Sequence, residues 1–258
     1  MVVREATFTQ TELLACAAAR LIPDRRSIFV GTGLPMVAGL LAQRTHAPGV
    51  LIIFEAGGVG PRVPVLPISV GDSRTFHQAA AASSMHDVMS ACQAGYIDLG
   101  FLGAAMIDVY GNINTTVIGP WEAPTVRLPG SGGANDIGSL CHQTIVIMRQ
   151  DRRRFVPRVN FITTPGYLDG PGGRERAGLP QGTGPFRVIT QLGVYGFDEE
   201  TCRMKLVALH PGVSFETAQA NAAFELETDE FVETTPPPTD EEIACLREID
   251  PLGMVVGK

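Results

Sequence analysis

The chain has 258 residues, of which 45% are hydrophobic and 18% charged, with 29 glycines and 19 prolines. Its 20 basic and 27 acidic side chains give a formal net charge of −7, an average field that disfavours nucleic acid, although a local basic patch could hold one phosphate group. This length suits one large α/β domain or two small ones and allows a sizeable core, so disorder is not expected. The low charged fraction favours a surface partly covered by another subunit.

The cysteine and histidine patterns indicate reduced thiols and no zinc site. The histidines have neither HxxxH nor HExxH spacing. No apolar run reaches the roughly 18 residues of a membrane span. Together with an odd number of cysteines and no CxxC pair, these features predict a soluble cytoplasmic protein. The five cysteines are Cys16, Cys92, Cys141, Cys202 and Cys245.

The predicted elements begin with a helix over residues 10–22, which a capping box from Thr9 to Glu12 opens. A strand over 27–30, a glycine turn and a helix from Met36 then form a unit typical of a parallel sheet. The next strand, over 50–54, ends at Glu55 and a glycine-rich turn. Further along, the pattern predicts a helix over 84–94 and strands over 97–101, 104–107, 115–118, 144–148, 159–163 and 186–190. The fold class is therefore α/β, with a mixed, largely parallel open sheet flanked by helices.

Two segments are irregular. The stretch 165–185 is rich in glycine and proline, contains Arg174-Glu175-Arg176, and is longer than ordinary connections in compact domains. The stretch 234–238 is a proline-rich break before a short helix opened by Thr239. We predict one domain over 1–258 with a C-terminal appendage from about residue 234.

Glu55 is the sharpest candidate for chemistry. Ligands of open α/β sheets bind outside the carboxyl ends of the strands, where Glu55 would lie. A carboxylate is ionised near neutral pH and becomes a better nucleophile when its water shell is removed. By position alone, a solvent-facing glutamate at the end of a strand is the commoner case.

Glycine turns provide the second candidate feature, because they expose backbone amides without side-chain obstruction. The turns at 130–135 and 103–105 could form an oxyanion hole or a phosphate cradle, although glycine marks ordinary tight turns far more often. Met36 replaces the third glycine of the dinucleotide fingerprint, which excludes that site. No GxSxG elbow is present, which disfavours a serine triad. The runs 152–154 and 174–176 could meet phosphates, but solvated charge is their default interpretation.

Several motifs occur in an order that resembles the β subunits of family I CoA-transferases, with the last two resembling the glutaconate CoA-transferase branch. The resemblance runs from the first helix to about Pro251. The motifs are Gly31-Thr32-Gly33-Leu34-Pro35, Glu55 with its glycine turn, Gly103-Ala104-Ala105-Met106-Ile107-Asp108, Gly111-Asn112-Ile113-Asn114, Gly130-Ser131-Gly132-Gly133-Ala134-Asn135, the segment 165–176 and His210-Pro211-Gly212-Val213-Ser214.

This resemblance implies an active site shared with a homologous α subunit and places the catalytic glutamate at Glu55. It implies that the carboxylate attacks an acyl-CoA and forms a glutamyl-CoA thioester, which then passes CoA to an acceptor acid. Coenzyme A is expected as a co-substrate, with no tightly bound cofactor and no metal. The positions that the resemblance assigns to CoA or the reacting carbonyl are Gly103, Ala104, Gly132, Gly133, Ala134 and Asn135.

One departure and one alternative accompany this interpretation. Many relatives have Gly-Gly-Ala-Gln-Ile-Asp where this chain has residues 103–108, so a glycine and a glutamine are lost. The same family fold also supports acyl-CoA decarboxylases and hydrolases, including ring-opening C–C hydrolases, in which the nucleophile is replaced or absent. Glu55 is present here, which favours transfer to a glutaconate-like dicarboxylic or 3-oxo acid. Another possibility is a structural subunit whose partner holds all the chemistry.

Overall fold

A ten-stranded sheet forms the centre of the computed structural model, which describes residues 8–257. The helices are α1 (Gln10–Ala19), α2 (Leu34–Arg44), α3 (Met85–Gln93), α4 (Ala134–Leu140), α5 (Gly173–Arg176), α6 (Phe215–Ala220) and α7 (Asp240–Ile249), with a 3-10 turn at Ser73–Phe76. The strands are β1 (Ser27–Val30), β2 (Leu51–Phe54), β3 (Gly58–Val59), β4 (Ala81–Ala82), β5 (Leu99–Gly103), β6 (Met106–Asp108), β7 (Ile113–Asn114), β8 (Val117–Ile118), β9 (Val126–Arg127), β10 (Gln143–Ile147), β11 (Phe155–Val156), β12 (Gly184–Ile189), β13 (Gly193–Phe197), β14 (Met204–Leu209) and β15 (Glu227–Thr234).

The strand order of the main sheet is β15-β14-β13-β12-β10-β5-β1-β2-β3-β4. Its centre, from β2 through β1, β5 and β10 to β12, is parallel throughout. The pairs β12–β13, β13–β14, β2–β3 and β3–β4 are antiparallel, whereas β14–β15 is parallel. The predicted α/β class with a mixed, largely parallel open sheet is confirmed.

The central strands are buried on both faces and separate two hydrophobic cores. Side chains alternate between faces, so Ile28 and Val30 pack into the core that contains α1, α2 and α7, whereas Phe29 packs into the core that contains α3 and α4. Small residues let α1 lie deep in the first core, because its alanines and Cys16 allow α2 and α7 to approach closely. Helices therefore cover both faces of the parallel centre, and its strand ends remain available for a site.

The capping boxes form as expected. The amide N–H of Glu12 donates to Thr9 Oγ1 at 3.1 Å, and the Thr9 amide donates to Glu12 Oε2 at 2.7 Å. Thr239 caps α7 in the same way, and Ile243, Leu246 and Ile249 of this helix are buried in the first core. The predicted boundary at about residue 234, where a C-terminal appendage would begin, stays a prediction.

The predicted strand at 159–163 is wrong. This segment is irregular because only its end, at Thr163, bonds through its backbone to a neighbouring strand, where its amide donates to the Ile113 carbonyl at 2.8 Å, and its other polar groups bond mostly to side chains and turns. The amide N–H of Val159 donates to the Asp108 carboxylate at 3.3 Å, and the Asn160 side chain donates to the Gly119 carbonyl at 2.8 Å. The Thr163 carbonyl accepts from the Asn135 side chain at 2.9 Å, so this segment lies beside the start of α4.

Candidate active site

The carboxyl ends of β2, β1 and β5 lie side by side, and they bring three of the predicted segments to one edge of the sheet. Glu55 follows β2, the turn beginning at Gly31 follows β1, and Gly103 is the last residue of β5. Because neighbouring strands are about 4.8 Å apart, residues that are distant in sequence converge here. This edge is where ligands bind in open parallel sheets.

A tight turn fixes the position of Glu55. The Gly57 amide donates to the Phe54 carbonyl at 2.9 Å, so Glu55 and Ala56 occupy the centre of a four-residue turn. Gly57 has a φ of +109°, and a Cβ at this position would overlap the Ser83 carbonyl oxygen. Only glycine fits that position, which explains the glycine after Glu55. Glu55 itself is half-buried.

The Glu55 carboxylate lies against Gly133, the residue that precedes α4. A Cβ at Gly133 would be 3.1 Å from Glu55 Oε1 and 2.6 Å from Met89 Cε. The carboxylate thus lies beside Gly133, and the Met89 methyl group of α3 lies beside the same glycine. Among residues 8–257, no side chain forms an ion pair with Glu55. The structure brings together Glu55 and Gly133, two residues that the sequence assigned to one site.

The loop before α4 leaves two of its amides free. Ala134 donates its N–H to the Ser131 carbonyl at 3.0 Å, whereas the N–H groups of Gly132 and Gly133 make no hydrogen bond within the described chain. The Asn135 side chain donates to the Thr163 carbonyl at 2.9 Å, which anchors the helix start. The amides of Gly132 and Gly133 are therefore available to a ligand, while Ala134 and Asn135 stabilise the loop.

Gly103 lines a cleft of about 420 Å³ on the same edge. No atom lies within 4 Å of a Cβ placed on Gly103, and the neighbouring Ala104 is partly buried against the second core. Arg149, which follows β10, also lines the cleft, and its side chain is exposed. Arg149 and Met89 were not predicted from the sequence. Arg149 is the first charged residue after a buried strand, a signal equivalent to the one that indicated Glu55.

A larger cavity of about 860 Å³ lies at the opposite edge of the sheet. It is lined by Gln143 and Gly184, which begin β10 and β12, and by both acidic and basic side chains. Since β10 and β12 are parallel to β2, this cavity is remote from Glu55. Position in the fold thus favours the smaller cleft as part of the site.

Arg174 is a structural residue, so its proposed roles in solvent or with phosphate are wrong. Its side chain is buried, and its guanidinium group donates to the Gly166 carbonyl at 2.9 Å, the Ser139 carbonyl at 3.0 Å and Thr183 Oγ1 at 2.7 Å. Burial lowers the pKa of this guanidinium below its usual value. Arg176, by contrast, is exposed and pairs with Asp169 at 2.8 Å.

Two other motif residues are buried away from Glu55. Asp108 accepts hydrogen bonds from the amides of Tyr110 and Asn112 at 3.0 and 3.1 Å, and burial raises the pKa of its carboxyl group. His210 contacts Thr235 Oγ1 at 2.7 Å and the Thr190 carbonyl at 2.8 Å, and burial lowers its pKa. These contacts stabilise loops and strand ends.

Neither a metal cluster nor a membrane helix is found between residues 8 and 257. No group of three histidine, cysteine or carboxylate side chains in this part of the chain has the geometry of a metal site. None of its helices has the length and apolarity to cross a membrane.

A half-buried carboxylate at the carboxyl edge of a parallel sheet, beside a glycine turn, lies where α/β enzymes bind their ligands. The family model for coenzyme A transferases matches residues 11–221, and the chain belongs to this family. It is a CoA-transferase, with coenzyme A as co-substrate.

Two relatives, each named as one subunit of a CoA-transferase, match over almost their whole length. The chain is 38% identical to the subunit of 3-oxoadipate CoA-transferase from Pseudomonas knackmussii, over 95% of this chain and 94% of the relative. It is 37% identical to the subunit of glutaconate CoA-transferase from Acidaminococcus fermentans, over 95% and 93%. The crystal structure of the A. fermentans glutaconate enzyme matches with a TM-score of 0.92 and 36% identity, over 97% of this chain and 98% of that chain.

More distant relatives have other activities. A cholesterol ring-cleaving hydrolase subunit of Mycobacterium tuberculosis is 28% identical over 94% of this chain and 95% of its own length. The crystal structure of a decarboxylase, AibA/AibB, matches with a TM-score of 0.83 and 26% identity, over 97% of this chain and all of that chain. The fold is therefore compatible with more than one reaction.

Proposed function

We propose that this chain is the β subunit of a CoA-transferase that moves CoA from an acyl-CoA to a free carboxylic acid, with Glu55 as the nucleophile. The observation that carries the proposal is the contact of the Glu55 carboxylate with Gly133, at the carboxyl edge of the parallel strands. Gly133 is thus beside the nucleophile before any substrate arrives, and the amides of Gly132 and Gly133 make no hydrogen bond within the described chain. Such preorganised donors stabilise charge that develops in a transition state.

The reaction proceeds by exchange at carbonyl carbons. A Glu55 oxygen attacks the thioester carbonyl, the C–S bond breaks, and the CoA thiolate leaves a mixed anhydride behind. The thiolate then attacks the Glu55 carbonyl carbon, which releases the first acid as a carboxylate and forms a glutamyl-CoA thioester. The acceptor carboxylate reverses both steps, so Glu55 is regenerated. Each step needs exclusion of water, because water would hydrolyse the activated intermediates.

A glutaconate-like dicarboxylic acid or a 3-oxo acid is the proposed acyl group. Support comes from the two relatives at 37–38% identity, whose names specify glutaconate and 3-oxoadipate. Both acids carry a second carboxylate, which distinguishes them from simple fatty acids. The precise diacid depends on the shape of the complete pocket.

A homologous α subunit is the proposed partner. Support comes from the names of the two relatives, each of which is one subunit of a larger enzyme. The low charged fraction of the chain and its exposed large apolar side chains, such as Trp121 and Phe231, fit a surface that another subunit covers. We expect the assembly in the cytoplasm, which the five free cysteines support.

The test is a search for the glutamyl-CoA adduct on the chain co-produced with its α subunit. The complex is incubated with glutaconyl-CoA or 3-oxoadipyl-CoA without acceptor, and intact mass and peptide mapping locate the adduct. We expect CoA on Glu55, its disappearance when a diacid is added, and loss of both adduct and transfer in Glu55→Gln. Glu122→Gln, which changes an exposed glutamate, should behave as wild type.

Release of free acid or carbon dioxide without an adduct on Glu55 would contradict the proposal. That result would favour the second candidate, an acyl-CoA hydrolase or decarboxylase on the same scaffold. The observation behind this candidate is the full-length match to the decarboxylase structure, with its TM-score of 0.83. Transfer at the wild-type rate in Glu55→Gln would instead assign the chemistry to the partner.

A further inference from the structure

The loop before α4 (residues 130–135, the glycine loop) is held at both of its ends. At its start, the Gly130 amide donates to the Thr115 carbonyl at 2.8 Å, and Thr115 Oγ1 donates to the Gly130 carbonyl at 2.8 Å. At its end, the Asn135 side chain donates to the Thr163 carbonyl at 2.9 Å. The glycines in the middle of the loop therefore lie between two fixed points.

Thr163 joins these two anchors. Its Oγ1 accepts from the Thr115 amide at 2.9 Å, and its carbonyl is the acceptor of the Asn135 side chain. The same Oγ1 forms a hydrogen bond of 2.7 Å with Thr116 Oγ1, and the Thr163 amide donates to the carbonyl of Ile113 in β7 at 2.8 Å. Thr163 is buried. One buried residue thus ties both ends of the glycine loop to β7 and the residues that follow it.

The glycine loop needs such anchors because its own sequence does not fix its conformation. Gly130 and Gly132 have φ values of +98° and +50°, and glycine leaves such a conformation at little cost when nothing outside the loop holds it. Gly133 lies a few residues from each anchor and contacts Glu55. A change at either anchor would therefore move Gly133 relative to the Glu55 carboxylate.

The neighbouring threonine provides a contrast. Thr164 is also buried, but its Oγ1 has no hydrogen-bond partner within residues 8–257. Its methyl group packs against α4, since a Cβ placed on Gly138 would overlap Thr164 Cγ2. The two threonines are thus adjacent and equally buried, and they differ in whether the hydroxyl group is bonded.

We infer that Thr163 is a positioning residue, whose hydroxyl and carbonyl groups hold the glycine loop so that Gly133 lies against Glu55. The inference rests on the proposed function, because it assumes that Glu55 is the nucleophile and that the loop amides serve the same reaction. Thr163 acts through Gly133 and does not itself contact the substrate. Misplacement of reacting groups by about 1 Å can cost about 100-fold in rate, so a loosened loop should slow transfer.

The experiment removes the Thr163 hydroxyl while keeping the shape of the side chain. The complex of Thr163→Val with the α subunit is assayed for transfer from acetyl-CoA to glutaconate and to 3-oxoadipate. We expect kcat to fall about 10- to 100-fold, while the KM values for acetyl-CoA and the acid change less than about twofold. This is the pattern of an interaction that acts in the transition state. Thr163→Ser keeps the hydroxyl group and should recover most of kcat.

The matched control is Thr164→Val, which removes an unbonded hydroxyl group at the same depth and should keep the wild-type kcat and KM values. Thermal unfolding is measured for each variant, because a merely structural role would lower the melting temperature of Thr163→Val without changing its kcat well below that temperature. A double variant gives a second readout. Thr163→Val should slow Gly133→Ala only slightly further, because both changes act at the same contact.

Wild-type kcat in Thr163→Val, equal falls in the two valine variants, no recovery in Thr163→Ser, or fully additive losses with Gly133→Ala would overturn the inference. If Thr163→Val does not fold, Asn135→Ala removes one anchor at the exposed start of α4, and wild-type kcat in that variant would overturn it as well. If the wild-type complex transfers no CoA to either acid, the proposed function itself has failed. If it transfers CoA and Thr163→Val does so equally fast, only this inference has failed.

Discussion

Glu55 and Gly133 form the central contact of the site, since a single methyl group on Gly133 would lie 3.1 Å from the Glu55 Oε1 oxygen. The two residues come from different βα units, one following β2 and the other preceding α4. Their contact exists only because the strand order places β2, β1 and β5 together and because α3 and α4 pack on one face. The fold thus brings together the proposed nucleophile and its proposed backbone donors from segments nearly 80 residues apart in the printed sequence.

Gly133→Ala should abolish most transfer without unfolding the chain. The φ of Gly133 is −78°, so alanine meets no backbone strain, but its methyl group would lie 2.6 Å from Met89 Cε and 3.1 Å from Glu55 Oε1. Displacement of the carboxylate by even 1 Å can cost about 100-fold in rate. Steady-state transfer and thermal unfolding measure the two effects separately.

Gly71→Ala is the control for that change. Gly71 is exposed, and a Cβ there finds its nearest neighbour at 3.9 Å. This variant should retain wild-type kcat and KM. Full activity in Gly133→Ala would contradict the close contact between Glu55 and the loop before α4.

Arg174→Met should strongly destabilise the protein. The buried guanidinium group bonds to the carbonyls of Gly166 and Ser139 and to Thr183 Oγ1, so its removal leaves buried acceptors without donors. We expect the free energy of unfolding to fall by about 1–3 kcal/mol, the usual cost of leaving buried hydrogen-bonding groups unsatisfied. Urea unfolding followed by circular dichroism measures this loss.

Arg176→Met tests whether the effect depends on burial. Arg176 is 60% exposed in its pair with Asp169, and exposed ion pairs contribute less than about 1 kcal/mol. Equal losses in the two variants would refute the structural role of Arg174. The comparison also separates the two arginines of a motif that looks uniform in sequence.

His210 should make stability fall in mildly acidic solution. Burial lowers the pKa of His210 below its ordinary value of 6.5, so the folded state favours the neutral ring. Below about pH 6.5 the unfolded chain takes up a proton that the folded chain does not, and the free energy of unfolding therefore decreases as pH falls towards the folded-state pKa. Urea unfolding at several pH values between 5 and 8 should show this slope.

His210→Gln should be less stable at pH 8, because it loses the hydrogen bonds of the ring to Thr235 Oγ1 and the Thr190 carbonyl. Its free energy of unfolding should nevertheless change less with pH between 5 and 8. His86→Gln alters an exposed histidine on α3 and should keep the wild-type slope. An unchanged slope in His210→Gln would assign the pH dependence to another group.

Local signals in the sequence predicted much of the fold. The capping pairs Thr9–Glu12 and Thr239–Glu242 marked two helix starts, and apolar runs marked β1 and β2. These features depend on neighbours within a few residues, so the printed sequence contains them. The strand predicted over 159–163 is wrong because apolar residues in this segment mimic the pattern of a strand. Its amides bond instead to groups distant in sequence, such as the Asp108 carboxylate.

The site was only partly predictable for the same reason. Glu55 and the glycine loops stand out at strand ends, but the burial of Arg174 depends on carbonyls from α4 that sequence spacing does not reveal. Met89 and Arg149 were missed because their importance comes from where α3 and β10 lie relative to β2. Chemistry-bearing residue types are visible in a sequence, whereas the neighbours that enclose them are set by the packing of elements.

Met89→Ala should increase hydrolysis relative to transfer. The Met89 methyl group lies beside Gly133 on the side of the turn that faces Glu55, so its removal opens apolar cover near the nucleophile. Water that reaches the mixed anhydride or the glutamyl-CoA thioester would hydrolyse it and waste the thioester energy. We expect the ratio of acyl-CoA hydrolysis to CoA transfer to rise several-fold, measured by free thiol release with and without the acceptor acid. Met85→Ala, at the exposed start of the same helix, should leave that ratio unchanged, whereas an unchanged ratio in Met89→Ala would show that the partner subunit alone excludes water.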